Sequence, residues 1–196
     1  NKEMEKVNEI IYERMNSKNA PRIPEITKHL IDAGGKRIRP MLCLATSKLC
    51  DYNGEKNIEL ATCVEFIHTA TLFHDDVIDN SVKRRGLNTA NELWGNKSSV
   101  LIGDFLLGKS FELMVEIGNI SVLKVLSETA STLIEGEIAQ LLTNNDFTTA
   151  VLKLGTVYSV VKSVVVRSAF LFIKLLAINL KRSFELLLHP LTLVDM

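Results

Sequence analysis

Along most of this chain apolar residues return every three or four positions, the spacing of a helix face rather than of a strand. Met4, Val7, Ile11 and Met15 form one such stripe and predict an amphipathic helix over 4–15. A second is predicted over 23–33. It closes at Gly34-Gly35, where glycine lets the chain leave the helix in a left-handed conformation. A third runs over 40–49, with Pro40 in its first turn, where a missing N–H is harmless. The turn Asp51-Tyr52-Asn53-Gly54 leads into a long fourth helix over 58–79. Polar residues 80–89 read as a loop, and Trp94-Gly95-Asn96 breaks the chain again. Helices over 98–117 and 120–142 follow. The expected fold class is therefore all-α, a helical bundle.

Composition narrows the function. A chain of 196 residues with 46% hydrophobic content can bury one core. Its formal net charge is zero, so no bulk electrostatic case exists for a nucleic-acid partner. The charges are uneven, however. From Phe147 onward there are six basic residues, from Lys153 to Arg182, against only Glu185 and Asp195. Cys43, Cys50 and Cys63 form neither a metal-ligand spacing nor an even disulfide set, and read as buried thiols of a reducing compartment. No signal peptide opens the chain, which also does not begin with Met. The most apolar stretch, 157–180, is interrupted by Lys162, Arg167 and Lys174, so no membrane span is expected and the expected location is cytoplasmic.

The chemistry concentrates in three clusters. His74-Asp75-Asp76-Val77-Ile78-Asp79 ends the apolar fourth helix, and Asp75 and Asp79 lie one turn apart on one face. Clustered carboxylates repel unless a cation joins them, and hard oxygen ligands with room for water and phosphate suit Mg2+. Standing alone, such a run is equally a solvated helix end. Lys83-Arg84-Arg85-Gly86 follows at once, suggesting a polyphosphate site with metal on one side and guanidinium forks on the other, or else plain surface charge pairing. The third cluster is Gly34-Gly35-Lys36-Arg37-Ile38-Arg39-Pro40. Its glycines admit an anion close to the backbone, and Lys36 and Arg39 supply charge. No strand precedes it and no Ser or Thr follows the lysine, so it is not a nucleotide-binding P-loop. His68 sits two turns before Asp75 on the same face, which aligns it with the aspartates. His29, His74 and His189 take no role. Two anion sites beside one metal platform imply two phosphorylated substrates, with Glu135-Gly136-Glu137 and Gln140 as further polar candidates.

Taken in order, these clusters resemble the polyprenyl synthetases, and among them the bacterial octaprenyl and decaprenyl diphosphate synthases. The resemblance rests on Gly34 to Pro40, on 65–79, and on Arg84-Arg85-Gly86. It continues through Thr89-Ala90-Asn91, Trp94-Gly95-Asn96, Gly103-Asp104-Phe105-Leu106-Leu107 and Glu135 to Gln140. It covers about the first three quarters of the chain. The resemblance implies an isoprenoid-synthase-type helical bundle and a prenyltransferase that elongates an allylic diphosphate with isopentenyl diphosphate. Asp75 and Asp79, supported by Asp76, are then the Mg2+ platform, and Arg84 contacts the allylic diphosphate. Lys36, Arg39, His68 and Arg85 bind isopentenyl diphosphate. Short-chain members carry bulky aromatics about one turn before the platform. Ala70 and Thr71 stand there in this chain, above Ile67 and Val64, and imply a long product. A homodimer is implied as well.

The pattern breaks after Asn144-Asn145-Asp146, since no second D-D-x-x-D follows. Residues 1–148 are expected to be the N-terminal part of the synthase domain and 149–196 an atypical tail. A frame disruption or truncation is favoured over a basic, apolar segment lying on a membrane surface where the lipid product leaves. The expected fold is therefore a bundle incomplete in its C-terminal half. The alternative to an active prenyltransferase is a catalytically impaired homologue that only binds diphosphate or dimerises, with apolar faces left exposed.

Overall fold

The computed structural model describes residues 2–143, and only the backbone of Ala139, Gln140, Leu142 and Thr143. The expectations for the Gln140 side chain, His189 and the tail 149–196 lie outside the described residues. Helices dominate as expected: α1 (Lys2–Arg14), α2 (Arg22–Asp32), α3 (Ile38–Leu49), α4 (Lys56–Ile78), α5 (Ala90–Trp94), α6 (Asn96–Ile117) and α7 (Ile120–Thr143). Among the described residues none is long and apolar enough to cross a membrane.

One compact unit comprises Asn1–Ala45 and Asn53–Gly118 and carries all the site residues named above that precede residue 119. Its centre is α4, which packs against α1, α5 and, most extensively, α6. Phe66, Phe73, Cys63 and Ala61 are fully enclosed there, while Val7, Ile11 and Met15 bury the predicted stripe of α1 and its flank. Each large side chain buried this way contributes on the order of 1.5–3 kcal/mol. Facing α4, α6 presents Ser99, Gly103, Leu106, Ser110 and Leu113, a recurrence of four and three residues that makes one narrow stripe. Its small members let the helices approach closely. Ser99 Oγ donates to Phe73 O at 2.9 Å, and the Cys63 thiol lies 3.5 Å from Ser110 O. Position 73 meeting 99 and position 63 meeting 110 makes the pair antiparallel. Cys43 and Cys63 are buried and unpaired, and burial pushes the Cys63 thiol up to about 12. Cys50 is only half-buried.

Two expectations need correction. Residues 80–89 are not all loop: β1 (Lys83–Arg84) and β2 (Leu87–Asn88) pair antiparallel. The connecting residues Arg85 and Gly86 have φ of +53° and +85°, both positive as a two-residue type I′ hairpin requires. Before Trp94 a short helix, α5, was also missed. Thr89 opens it in an extended conformation, but its hydroxyl donates backwards to Ser81 O at 2.6 Å instead of capping. Asn91 Nδ2 donates to the same carbonyl, so α5 ties down the base of the hairpin.

The second unit contains Thr46–Tyr52 and, among its described residues, α7. Asn119 caps α7, its Oδ1 accepting from the N–H groups of Ser121 and Val122.

Candidate functional site

Helix α2 ends at Ala33, whose N–H bonds His29 O, and Gly34 then turns left-handed at φ +87°. The strand-free loop that follows brings Lys36 and Arg37 back towards the middle of α4 before α3 begins. A cavity of about 430 Å³ opens there, lined by Gly34–Arg39, Glu65, His68 and Arg85. Lys36, Arg39, His68 and Arg85, chosen from three separate stretches of sequence, thus share one pocket. Arg85 reaches it from the hairpin turn. Its guanidinium lies so near Gly35 that a Cβ there would stand 2.9 Å from Nη1. Glycine at 35 is what allows this contact.

The pocket is strongly electropositive. Burial first, then the charges of Arg39, Arg85, Arg84 and Arg37, hold the His68 imidazole down to about 4, so it is neutral at pH 7. Desolvation also lowers the Arg39 guanidinium, with Glu65 opposing, although the residue as a whole is exposed. Two charged lining residues, Arg37 and Glu65, carry no role in the sequence analysis. Arg37 Nη1 donates to Glu65 Oε1 at 2.7 Å, and both side chains are mostly buried. A carboxylate three residues before His68, on the same face of an apolar helix, was the available signal.

The aspartates occupy the C-terminal end of α4, outside that lining. Asp75 is half-buried and Asp79 exposed, whereas Asp76 is 1% exposed. Asp76 faces Arg84, taking hydrogen bonds from Nε at 2.9 Å and an ion pair with Nη2 at 2.8 Å. This two-point pairing fixes the arginine's plane and occupies the central carboxylate. Asp75 and Asp79 lie one turn apart at the end of α4. No group of three His, Cys, Asp or Glu able to enclose a metal occurs among the described residues. Two carboxylates at the negative end of a helix suit a hard cation that keeps water or phosphate oxygens for its other positions. The donor set therefore fits a hard divalent cation that takes its remaining ligands from elsewhere. His74, given no role, packs against Gly103, its Nε2 lying 3.2 Å from Val100 O and 3.3 Å from Asp104 Oδ1. Ala70 is buried in α4, and Thr71 Oγ1 donates to His68 O at 2.8 Å. Neither lines the pocket.

Comparison with known proteins agrees with this arrangement. The polyprenyl synthetase family model matches residues 20–179, which runs past position 148. Octaprenyl diphosphate synthase of Escherichia coli is 43% identical over 144 residues, covering 74% of this chain and 44% of that protein. A decaprenyl diphosphate synthase structure from Rhodobacter capsulatus superposes with a TM-score of 0.71 at 56% identity, over 72% of this chain and 44% of that one. A polyprenyl synthase from Caulobacter crescentus, solved with calcium and isoprenyl diphosphate, gives 0.71 at 46% identity, over 74% and 44%. The chain thus spans under half the length of these relatives. With the helical fold, the cationic pocket and the matched span in agreement, this chain belongs to the polyprenyl synthetase family.

Proposed function

We propose that this chain carries the two diphosphate sites of a long-chain trans-prenyl diphosphate synthase, an enzyme that joins isopentenyl diphosphate to an allylic diphosphate. The observation that carries the reading is the convergence of Lys36, Arg39, His68 and Arg85 on one cavity, with His68 two turns before Asp75 on α4. The hairpin bears on both sites: Arg84 pairs with Asp76 of the aspartate run, and Arg85 lines the pocket.

In this mechanism the pocket holds isopentenyl diphosphate through Lys36, Arg39 and Arg85, with neutral His68 as a hydrogen-bond partner. Arg84 lies against the allylic diphosphate and stabilises the charge that builds as its C–O bond breaks, the electron pair leaving with pyrophosphate. The double bond of isopentenyl diphosphate then forms the new C–C bond, and a proton is lost. Asp75 and Asp79 would hold Mg2+, which when bound would supply charge neutralisation to the leaving group. Apolar walls keep water from the cationic carbon. Small residues at Ala70 and Thr71 leave room for a long chain.

The reading extends to a homodimer working in the cytoplasm, with product release at a membrane surface. Exposed Leu101, Phe111 and Val115 along α6 support association. A division near residue 148, with 149–196 as an atypical tail, also belongs to it. Because the sequence holds a single D-D-x-x-D, a second reading is a homologue that binds diphosphate or dimerises without turnover. Purified chain is mixed with Mg2+, an allylic diphosphate and labelled isopentenyl diphosphate, and lipids are extracted. Labelled polyprenyl product is expected. Pyrophosphate binding without product supports the second reading, and absence of both overturns the assignment.

A further inference from the structure

We infer that Glu65 and Arg37 are positioning residues of the cationic pocket: their ion pair clamps the Gly34–Arg39 loop to α4 so that Lys36 and Arg39 face one anion. This rests on the pocket being a diphosphate site, as proposed above.

Glu65 is the one acidic side chain among the residues that line the cavity. A carboxylate in the wall of an anion pocket is, by charge alone, a liability. Its placement argues for another task. Glu65 is buried, and Arg37 Nη1 meets its Oε1 at 2.7 Å. Arg37 has φ of +47°, the left-handed region that is strained for a non-glycine residue and persists only where surroundings enforce it. The ion pair supplies that enforcement, linking a loop residue to a helix residue 28 positions later. Lys36 precedes the clamped residue directly and Arg39 follows two positions on, at the start of α3. Met41 N–H donates to Arg37 O at 3.0 Å, so the fixed residue also starts the hydrogen-bond ladder of α3. Arg37 is thereby committed to Glu65 and is not itself a ligand of the anion. The three cations left to bind are Lys36, Arg39 and Arg85.

Positioning and simple electrostatics predict opposite signs. Removing the Glu65 charge makes the pocket more positive, so a bystander carboxylate implies tighter anion binding after Glu65→Gln. A clamp implies weaker binding.

The test is calorimetric titration of the full chain with inorganic pyrophosphate in EDTA, which confines binding to the cationic pocket. Wild type, Glu65→Gln, Arg37→Met/Glu65→Met, Arg37→Lys and Arg39→Ala are compared. The double variant removes both charges, keeps the net field and leaves no unpaired buried ion, so it guards against a fold lost in the single variant. The expected result is about tenfold weaker binding in Glu65→Gln and in the double variant, the scale of one misplaced charge-assisted hydrogen bond. Arg37→Lys, which keeps a single-point pair to Glu65, is expected to stay within about threefold of wild type. Unchanged or tighter binding in Glu65→Gln and the double variant, with Arg39→Ala still weakened, overturns the clamp alone. Wild type that does not bind, or binding that Arg39→Ala leaves untouched, overturns the diphosphate pocket and the clamp with it.

Discussion

Replacing Gly103 with alanine tests how α6 sets the end of α4. A Cβ at position 103 would stand 2.5 Å from His74 Cδ2 and closer still to Nε2, so the imidazole has to move. Overpacking of this kind costs about 1–3 kcal/mol. Displacing the ring also removes its hydrogen bond to Val100 O, worth about 1 kcal/mol. Alanine returns about 1 kcal/mol through its higher helix propensity. The net expectation is a loss of about 2 kcal/mol, or roughly 4–8 °C in Tm for a chain of this size. The assay is thermal unfolding by circular dichroism, run as a double-mutant cycle with His74→Ala. Without the imidazole the clash is gone, and Gly103→Ala becomes stabilising by about 0.5–1 kcal/mol. A Tm for Gly103→Ala at or above wild type, or an equal loss in both backgrounds, refutes the reasoning. Since His74 adjoins Asp75, the single variant is also expected to weaken Mg2+-dependent pyrophosphate binding.

Asp76→Asn leaves Arg84 without its two-point partner, and breaking so enclosed a pair is expected to cost about 3 kcal/mol by denaturant titration, with Mg2+-dependent pyrophosphate binding lost as well. For His68, the unfolded chain takes up a proton near the ordinary 6.5 while the folded one resists until about 4. Stability therefore falls as pH drops from 6.5 towards 4, by about 1–2 kcal/mol after allowing for partial solvent exposure, and chemical denaturation of His68→Gln across that range should lack this share of the loss. Ala70→Phe places a ring one turn before Asp75 and is expected to shorten the prenyl product, read by chromatography of the extracted lipids; unchanged length rejects Ala70 as a chain-length determinant.

Much of this molecule was legible in the residue order because the relevant forces are local. The stripe Val7–Ile11–Met15, the stop at Gly34 and the break at Gly95 depend on spacing and backbone sterics within a few residues, so the helices fell within a few residues of their expected bounds. Lys36, Arg39 and Arg85 were legible as charge clusters beside glycine, and His68 by its alignment with the aspartates. Harder to read was the 80–89 segment. Its hairpin depends on Arg85 accepting a positive φ, and arginine gives no advance sign of that. Thr89 was also ambiguous, since its hydroxyl bonds backwards to Ser81 rather than announcing α5.

What the chain order alone determined was the all-α class, the helix periods and the inventory of charged groups. Only the tertiary structure decided how those groups are divided. It pairs Asp76 with Arg84, sets Asp75 and Asp79 at the end of α4, and pairs Arg37 with Glu65 in the pocket wall. It also explains Gly103 and Gly35, whose missing side chains make room for His74 and Arg85. Helix periodicity follows from interactions within one turn and can be read from neighbours in sequence. Ion pairs and close contacts join residues far apart in the chain, and which carboxylate meets which guanidinium depends on how the helices and the hairpin dock.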